Sequence, residues 1–276
     1  MNRNRRILGV DFTSVPRRAK AITAASGHLR GNVVVIDRLE GIEAFDAFEA
    51  LLDRPGPWLG AFDFPFGMPR ELVRDLGWPD TWPAMVHHCA HYSREEFRRM
   101  LDAYRATRPP GNKYAHRATD IPAGSSSPMK LVNPPVALMF LEGAPRLLRA
   151  NVTVPGMHQG DPQRIALEGY PGLLARRITR ASYKSDTRSQ QTEARRAARE
   201  QIVAALENGI DGLRLNLRQP ASREMLVADG AGDLLDAVLC AMQAGLFGAS
   251  KMPPFGIPDD FDPIEGWILG AQPIPS

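Results

Sequence analysis

The first 64 residues constrain the fold most, because they hold three apolar segments joined only by short connections. Residues 7–12, 19–25 and 32–36 have the apolar and β-branched composition typical of strands. Connections this short join antiparallel neighbours, so we predict an antiparallel meander with a tight turn at Ser26 and Gly27.

The next elements extend this meander into a larger sheet. Residues 43–52 are a helix candidate with Phe45, Phe48 and Leu52 at helical spacing, and residues 58–64 are a fourth strand. A strand reached through a helix usually lies parallel to an earlier strand. Residues 164–168 predict a fifth strand, and residues 189–207 and 232–246 predict two long helices. The order indicates an α/β domain with a mixed five-stranded sheet flanked by helices.

The middle of the chain has a different character. Residues 70–160 are rich in Pro, His, Arg and Ser, and their periodicity is weak apart from a helix candidate at 135–148. We therefore predict one domain whose core comprises residues 1–69 and 161–276. Residues 70–160 would form a large irregular insertion or cap within that domain.

Composition limits the partners and the compartment. The 276-residue chain has a formal net charge of +3 and a sequence pI of about 9.0, which permits a nucleic-acid partner without requiring one. No apolar run approaches the ~18 residues of a membrane helix. The two cysteines, Cys89 and Cys240, do not suggest a disulfide framework. These features predict a cytoplasmic protein without a membrane segment.

Five acidic residues occupy positions where an acid is locally unfavourable. Asp11, Asp63 and Glu168 each end an apolar strand, and Asp233 and Asp236 lie three apart on an apolar helix. A carboxylate near a core costs several kcal/mol unless it is paired or binds a cation. Each acid alone is also compatible with a turn-forming or helix-capping role. Together they indicate a shared Mg²⁺ or Mn²⁺ site, because these ions prefer oxygen ligands.

Several short segments occur in an order that resembles one family. They are Gly9-Val10-Asp11, Lys20-Ala21-Ile22, Phe62-Asp63-Phe64-Pro65-Phe66-Gly67, His116-Arg117-Ala118-Thr119-Asp120, Glu168-Gly169-Tyr170-Pro171, Ser182-Tyr183-Lys184-Ser185-Asp186, Asp233-Leu234-Leu235-Asp236-Ala237 and Glu265-Gly266-Trp267-Ile268. The ordered set, from about residue 8 to residue 268, resembles domain-of-unknown-function family 429. Members of that family are described as predicted ribonuclease H-like nucleases.

The resemblance implies a ribonuclease H-like fold and a role for each acid. In such folds the first-strand Asp contacts both metal ions, which would make Asp11 the central ligand. Asp63 would match the acid of the fourth strand. Asp233 and Asp236 resemble the Asp-x-x-Asp-Ala helix of Holliday-junction resolvases and would complete the metal shell. Glu168 lies on the fifth strand, where it could be a ligand, a general base or a structural partner.

Three further residues are candidates for substrate binding. Lys184 lies in a Tyr-Lys-Ser-Asp segment and could contact a phosphate. Arg117 could hold a phosphate or carboxylate while Asp120 orients it, or the two could form a structural salt bridge. The implied substrate is nucleic acid or another phosphodiester.

These observations predict a divalent-metal-dependent nuclease that hydrolyses a phosphodiester. One alternative is a phosphotransferase or nucleotide-binding enzyme of the actin and sugar-kinase-like superfamily. Those proteins usually carry Gly-rich phosphate loops in two duplicated halves, and this sequence shows no clear second half. The other alternative is a non-catalytic scaffold that has kept the fold.

Overall fold

A single mixed sheet lies at the centre of the protein. The computed structural model describes residues 5–248 and 254–272, and within them seven strands form this sheet rather than the five expected. The strands are β1 (Arg5–Asp11), β2 (Ile22–Arg30), β3 (Val33–Ile42), β4 (Trp58–Asp63), β5 (Val152–Thr153), β6 (Asp161–Glu168) and β7 (Arg214–Leu217). The α/β class is confirmed. The two additional strands, β5 and β7, are too short to give a periodic sequence signal.

The strand order brings two acidic strand ends together. It is β5-β6-β4-β1-β2-β3-β7 across the sheet. β2 is antiparallel to β1 and β3, and β4 is parallel to β1, as predicted. In the parallel register Asp11 pairs with Asp63, while Phe62 pairs with Glu168. The two aspartates therefore lie side by side at the carboxyl-terminal ends of two central strands.

The predicted turn at Ser26 and Gly27 is wrong. Both residues lie inside β2, at a point where the pairing register with β3 shifts. A Cβ atom on Gly27 would lie 1.8 Å from the carbonyl oxygen of Val35. The glycine thus permits a close approach of two strands at a bulge. A glycine in the sequence does not by itself distinguish a bulge from a turn.

Helices cover both faces of the sheet. They are α1 (Phe45–Leu52), α2 (Arg70–Asp75), α3 (Trp82–Cys89), α4 (Arg94–Thr107), α5 (Asp120–Ala123), α6 (Val136–Arg149), α7 (Pro171–Ile178), α8 (Glu193–Asn208), α9 (Pro220–Ala228) and α10 (Asp233–Phe247). Side chains of α1, α2, α3, α4 and α6 pack on one face of the sheet. Those of α7 to α10 pack on the opposite face. None of the described helices is both long enough and apolar enough to span a membrane.

The sequence predicts that residues 70–160 are irregular. In the structure they contain the five helices α2 to α6. Most of these helices are short, which explains their weak periodicity. α4 begins with a capping box between Ser93 and Glu96 and buries Phe97 and Leu101 in the core. The division of the chain into a core and an insertion stays a prediction.

Helix α10 crosses β1 at very short range. A Cβ atom on Gly9 would lie 2.0 Å from the carbonyl oxygen of Ala237 and 2.2 Å from the backbone nitrogen of Ala241. Glycine at this position therefore lets the helix backbone rest directly on the strand. This contact brings the first turn of α10, which contains Asp236, to the end of β1.

We expect Gly9→Ala to lower the free energy of unfolding by about 1–3 kcal/mol, because the new methyl group must push α10 away from β1. Urea denaturation measures the loss. Gly41→Ala in β3 is the matched control, since its Cβ would meet only the side chain of Ala21 at 3.5 Å. Equal stability of the two variants would contradict the close contact.

Candidate metal centre

Three carboxylates converge where β1, β4 and α10 meet. One oxygen each from Asp11, Asp63 and Asp236 lies within 4.8 Å of the others. The sheet register fixes the two strand residues, and the Gly9 contact fixes the helical one. Strand alternation turns Asp11 and Asp63 toward the face that α10 covers. We call these three residues the carboxylate cluster.

The carboxylate cluster concentrates negative charge in a poorly solvated place. Burial, and next the Asp236 carboxylate, raises the pKa of Asp11 well above its ordinary value. Burial also raises the pKa of Asp63, to about 7, although the Lys184 ammonium opposes this shift. No hydrogen bond from the residues described here reaches the carboxylate of either strand aspartate. A cation would supply the missing compensation.

Among these three carboxylates, hydrogen bonds from the described residues reach only Asp236. The Tyr183 hydroxyl donates to its Oδ1 at 2.6 Å, and the Lys184 ammonium donates to its Oδ2. Burial lowers the pKa of Lys184. The carboxylates of Asp236 and Asp11 raise it by more than burial lowers it, so the net shift is upward. Asp236 also lies in the first turn of α10, where the helix dipole favours a negative charge.

Asp233 lies beside the carboxylate cluster but is not one of its three converging groups. Its Oδ1 accepts a hydrogen bond from the Lys20 ammonium at 2.8 Å, and Lys20 also contacts Asp186 at 2.7 Å. Thr23 donates to the backbone oxygen of Asp233 at 2.7 Å. As the first residue of α10, Asp233 is near enough to add to the upward pKa shift of Asp11.

Glu168 lies on the other face of the sheet and is not one of the three converging carboxylates, although its charge adds to the upward pKa shift of Asp63. It pairs in register with Phe62, whose side chain packs in the core on the α1 to α6 side. The Arg117 guanidinium donates to Glu168 Oε1 at 2.7 Å and Oε2 at 2.8 Å, and the Phe66 backbone N–H donates to Oε2 at 2.9 Å. Of the three roles considered for Glu168, this geometry favours the structural one.

The structure also favours a structural role for Arg117 and Asp120 over the predicted contact with substrate. Besides Glu168, the guanidinium donates to Asp120 Oδ1 twice, at 2.9 and 3.1 Å, and to the backbone oxygen of Glu265 at 2.9 Å. Its five N–H groups are all used, which leaves none for a phosphate. The network joins residues 70–160 to β6 and to the C-terminal segment.

Two contacts of the site were not predicted from sequence. Tyr183 positions Asp236, and Lys20 positions Asp233. Both residues lie in segments that resemble family motifs, but their chemistry alone does not indicate a partner more than 50 residues away. Their presence in these motifs is the signal that could have identified them.

Comparison with known proteins gives one match. The family described as "Protein of unknown function (DUF429)" matches residues 9–254. The chain belongs to this family. The match spans the whole carboxylate cluster of this DUF429 protein, and also Lys184 and Arg117. No curated protein and no solved structure matches the chain significantly.

The raised pKa of Asp63 makes the stability of the metal-free DUF429 protein depend on pH. The folded state holds this proton up to pH about 7, whereas the ordinary value is 3.8. Between these values the folded state binds more protons, so the free energy of unfolding falls as pH rises. Asp63→Asn removes this penalty, and at pH 8 we expect a gain of about 1–3 kcal/mol.

Urea denaturation in EDTA at pH 4.5 and pH 8 measures this effect. Asp260→Asn, which changes an exposed carboxylate, is the control and should follow the wild type at both pH values. A variant Asp63→Asn that is less stable than the wild type at pH 8 would show that the aspartate is already compensated within the protein.

Removal of Arg117 should strongly destabilise the DUF429 protein. Arg117→Met leaves the buried Glu168 and Asp120 carboxylates without their cation, and we expect a loss of about 3–5 kcal/mol. Arg180→Met changes an arginine that forms no ion pair with any described residue and should alter stability by less than about 0.5 kcal/mol. A loss below about 1 kcal/mol for Arg117→Met, measured by chemical denaturation, would argue against the structural role.

Proposed function

We propose that the protein is a ribonuclease H-like, divalent-metal-dependent nuclease that hydrolyses phosphodiester bonds. The observation that carries the proposal is the carboxylate cluster, whose two strand aspartates receive no hydrogen bond from the described residues. An aspartate ends the first strand, another ends the neighbouring fourth strand, and a third lies on a late helix. This arrangement agrees with the positions that the family resemblance implies for the acids of ribonuclease H-like proteins.

The chemistry of the donor set supports Mg²⁺ or Mn²⁺. Asp11, Asp63 and Asp236 offer only carboxylate oxygens, which are hard ligands suited to these ions. Asp233 lies close enough to contribute through its charge. When bound, such an ion neutralises charge that develops on the phosphate oxygens and assists the attack of water.

Residues around the carboxylate cluster have distinct tasks in this proposal. Tyr183 orients Asp236, and Lys20 holds Asp233 at the start of α10. Lys184 neutralises part of the negative charge, and because 42% of its side chain is exposed, we assign to it the contact with a substrate phosphate. In the hydrolysis, the water oxygen bonds to phosphorus, one ester P–O bond breaks, and the leaving oxygen takes a proton.

The location that accompanies this proposal is the cytoplasm. Cys89 and Cys240 are both buried and free, as expected in a reducing compartment. The mildly basic net charge suits a nucleic-acid partner or a smaller phosphodiester.

Activity should require Mn²⁺ and the carboxylate cluster. Against single-stranded, duplex, hybrid and branched nucleic acids, we expect Asp11→Asn to lower the cleavage rate at least about a hundredfold, because it removes a metal ligand. The variant should stay folded but should lose the rise in melting temperature that Mn²⁺ gives the wild type. Asp260→Asn is the control and should keep both properties.

Two other outcomes would point to the alternative functions. Saturable ATP binding without cleavage of any of these nucleic acids would favour a phosphotransferase or nucleotide-binding enzyme. Failure of Mn²⁺ to raise the melting temperature of the wild type, together with no cleavage, would favour a scaffold and contradict the nuclease proposal.

A further inference from the structure

A pocket adjoins the carboxylate cluster and is not used by the chemistry proposed above. Its volume is about 420 Å³, and its lining includes Asp63 and Lys184. It is bounded by α6, by α7 and by residues 179–184, which follow α7. Pockets that bury small organic ligands have volumes of roughly 300–1,000 Å³. The pocket therefore has room for a small group that is attached to whatever the cluster binds.

Much of the pocket lining is apolar. Phe64 and Pro65 follow β4, Val136 and Met139 extend from α6, and Tyr170 lies just before α7. Such a lining suits a flat, largely apolar group. Every nucleic-acid base has such a flat face, which can pack against the side chains of Val136 and Met139.

The charged residues of the pocket differ in their availability. Arg176 is engaged, because it donates to the backbone oxygen of Ala123 at 2.5 Å and lies over the Tyr170 ring. Arg117 and Glu168 also line the pocket, but they satisfy each other. Arg180, in contrast, is exposed and forms no ion pair or hydrogen bond within residues 5–248 and 254–272. The pocket thus offers one available guanidinium beside an apolar wall.

We propose that this pocket binds one unpaired nucleotide of the substrate, next to the phosphodiester that is cut. The base packs against the apolar wall, and Arg180 contacts a phosphate of the same nucleotide. A base held within a duplex stack cannot enter such a pocket without leaving its partner. The substrate class is therefore a single-stranded nucleic acid or a small dinucleotide-type phosphodiester. The position of the pocket next to the cut phosphodiester rests on the proposed nuclease function.

Binding can be tested without any cleavage. Isothermal titration with a nucleoside 5′-monophosphate, with equal Mn²⁺ in both solutions, should show saturable binding that is tighter than the binding of inorganic phosphate. Val136→Trp places an indole in the pocket from a half-buried position and should weaken nucleotide binding at least tenfold. Val132→Trp makes the same change four residues earlier, at an exposed site outside the pocket, and should bind like the wild type.

The two variants also distinguish a loss of nucleotide binding in the pocket from a loss of metal binding. Both should keep the wild-type melting temperature and its rise with Mn²⁺. Equal nucleotide affinity in Val136→Trp, Val132→Trp and the wild type would overturn the proposal. Inorganic phosphate that binds as tightly as the nucleotide would overturn it as well, because the base would then contribute nothing.

Cleavage assays identify the source of the nucleotide. We expect a single-stranded oligonucleotide or a dinucleotide to be cut at least tenfold faster than a blunt duplex of the same sequence, and Val136→Trp to slow this reaction. If the oligonucleotide is cut faster than the dinucleotide, the substrate is a nucleic-acid strand. If only the dinucleotide is cut, the substrate is a small phosphodiester. Preferred cleavage of duplex, unchanged in Val136→Trp, would overturn the inference. Nucleotide binding without any cleavage would instead contradict the nuclease proposal and leave the pocket assignment standing.

Discussion

Repulsion between three carboxylates is the constraint around which one end of this protein is built. Asp11 and Asp63 are neighbours in a parallel sheet register, and Asp236 is held beside them by a helix that touches the strand backbone. Because the backbone fixes the Cα positions of all three, the carboxylates stay close together, and burial and this proximity raise the pKa values of Asp11 and Asp63. The Lys184 ammonium and the dipole of α10 offset only part of the repulsion. On the nuclease proposal, a divalent cation would neutralise the negative charge that remains.

A second group of buried charges, on the other face of the same sheet edge, shows the contrasting arrangement. There Arg117 uses every guanidinium N–H, and Glu168 receives a further hydrogen bond from a backbone amide. Protein groups thus provide the partners that the two strand aspartates of the carboxylate cluster lack. The comparison shows that acidic residues alone do not define a metal site. The two strand aspartates receive no hydrogen bond from the described residues, whereas Glu168 is paired with an arginine.

Sequence patterns predicted the positions that depend on local chemistry and failed where distant contacts decide. The parallel pairing of β1 and β4 followed from a helical connection, and it placed Asp11 beside Asp63 as the strand ends implied. Glu168 ends an apolar strand just as Asp11 and Asp63 do, and that pattern does not reveal that its side chain points to the opposite face of the sheet. Its partner Arg117 lies 51 residues away, in a segment of short helices with little periodicity. β7 and α9 are also absent from the sequence prediction, β7 because its four residues are too few for a periodic signal.

The contact at Gly9 bears on the ion size that the proposed metal site would prefer. Most binding sites adjust to ionic radius by changing rotamers or by small shifts of flexible loops. Here a helix rests directly on a strand, so the separation between Asp11 and Asp236 is set by two backbones. Mg²⁺ needs oxygen atoms at about 2.0–2.1 Å and Ca²⁺ at about 2.3–2.6 Å with more ligands. If the carboxylate cluster holds a divalent cation as proposed, a framework with so little freedom to expand would favour the smaller ions.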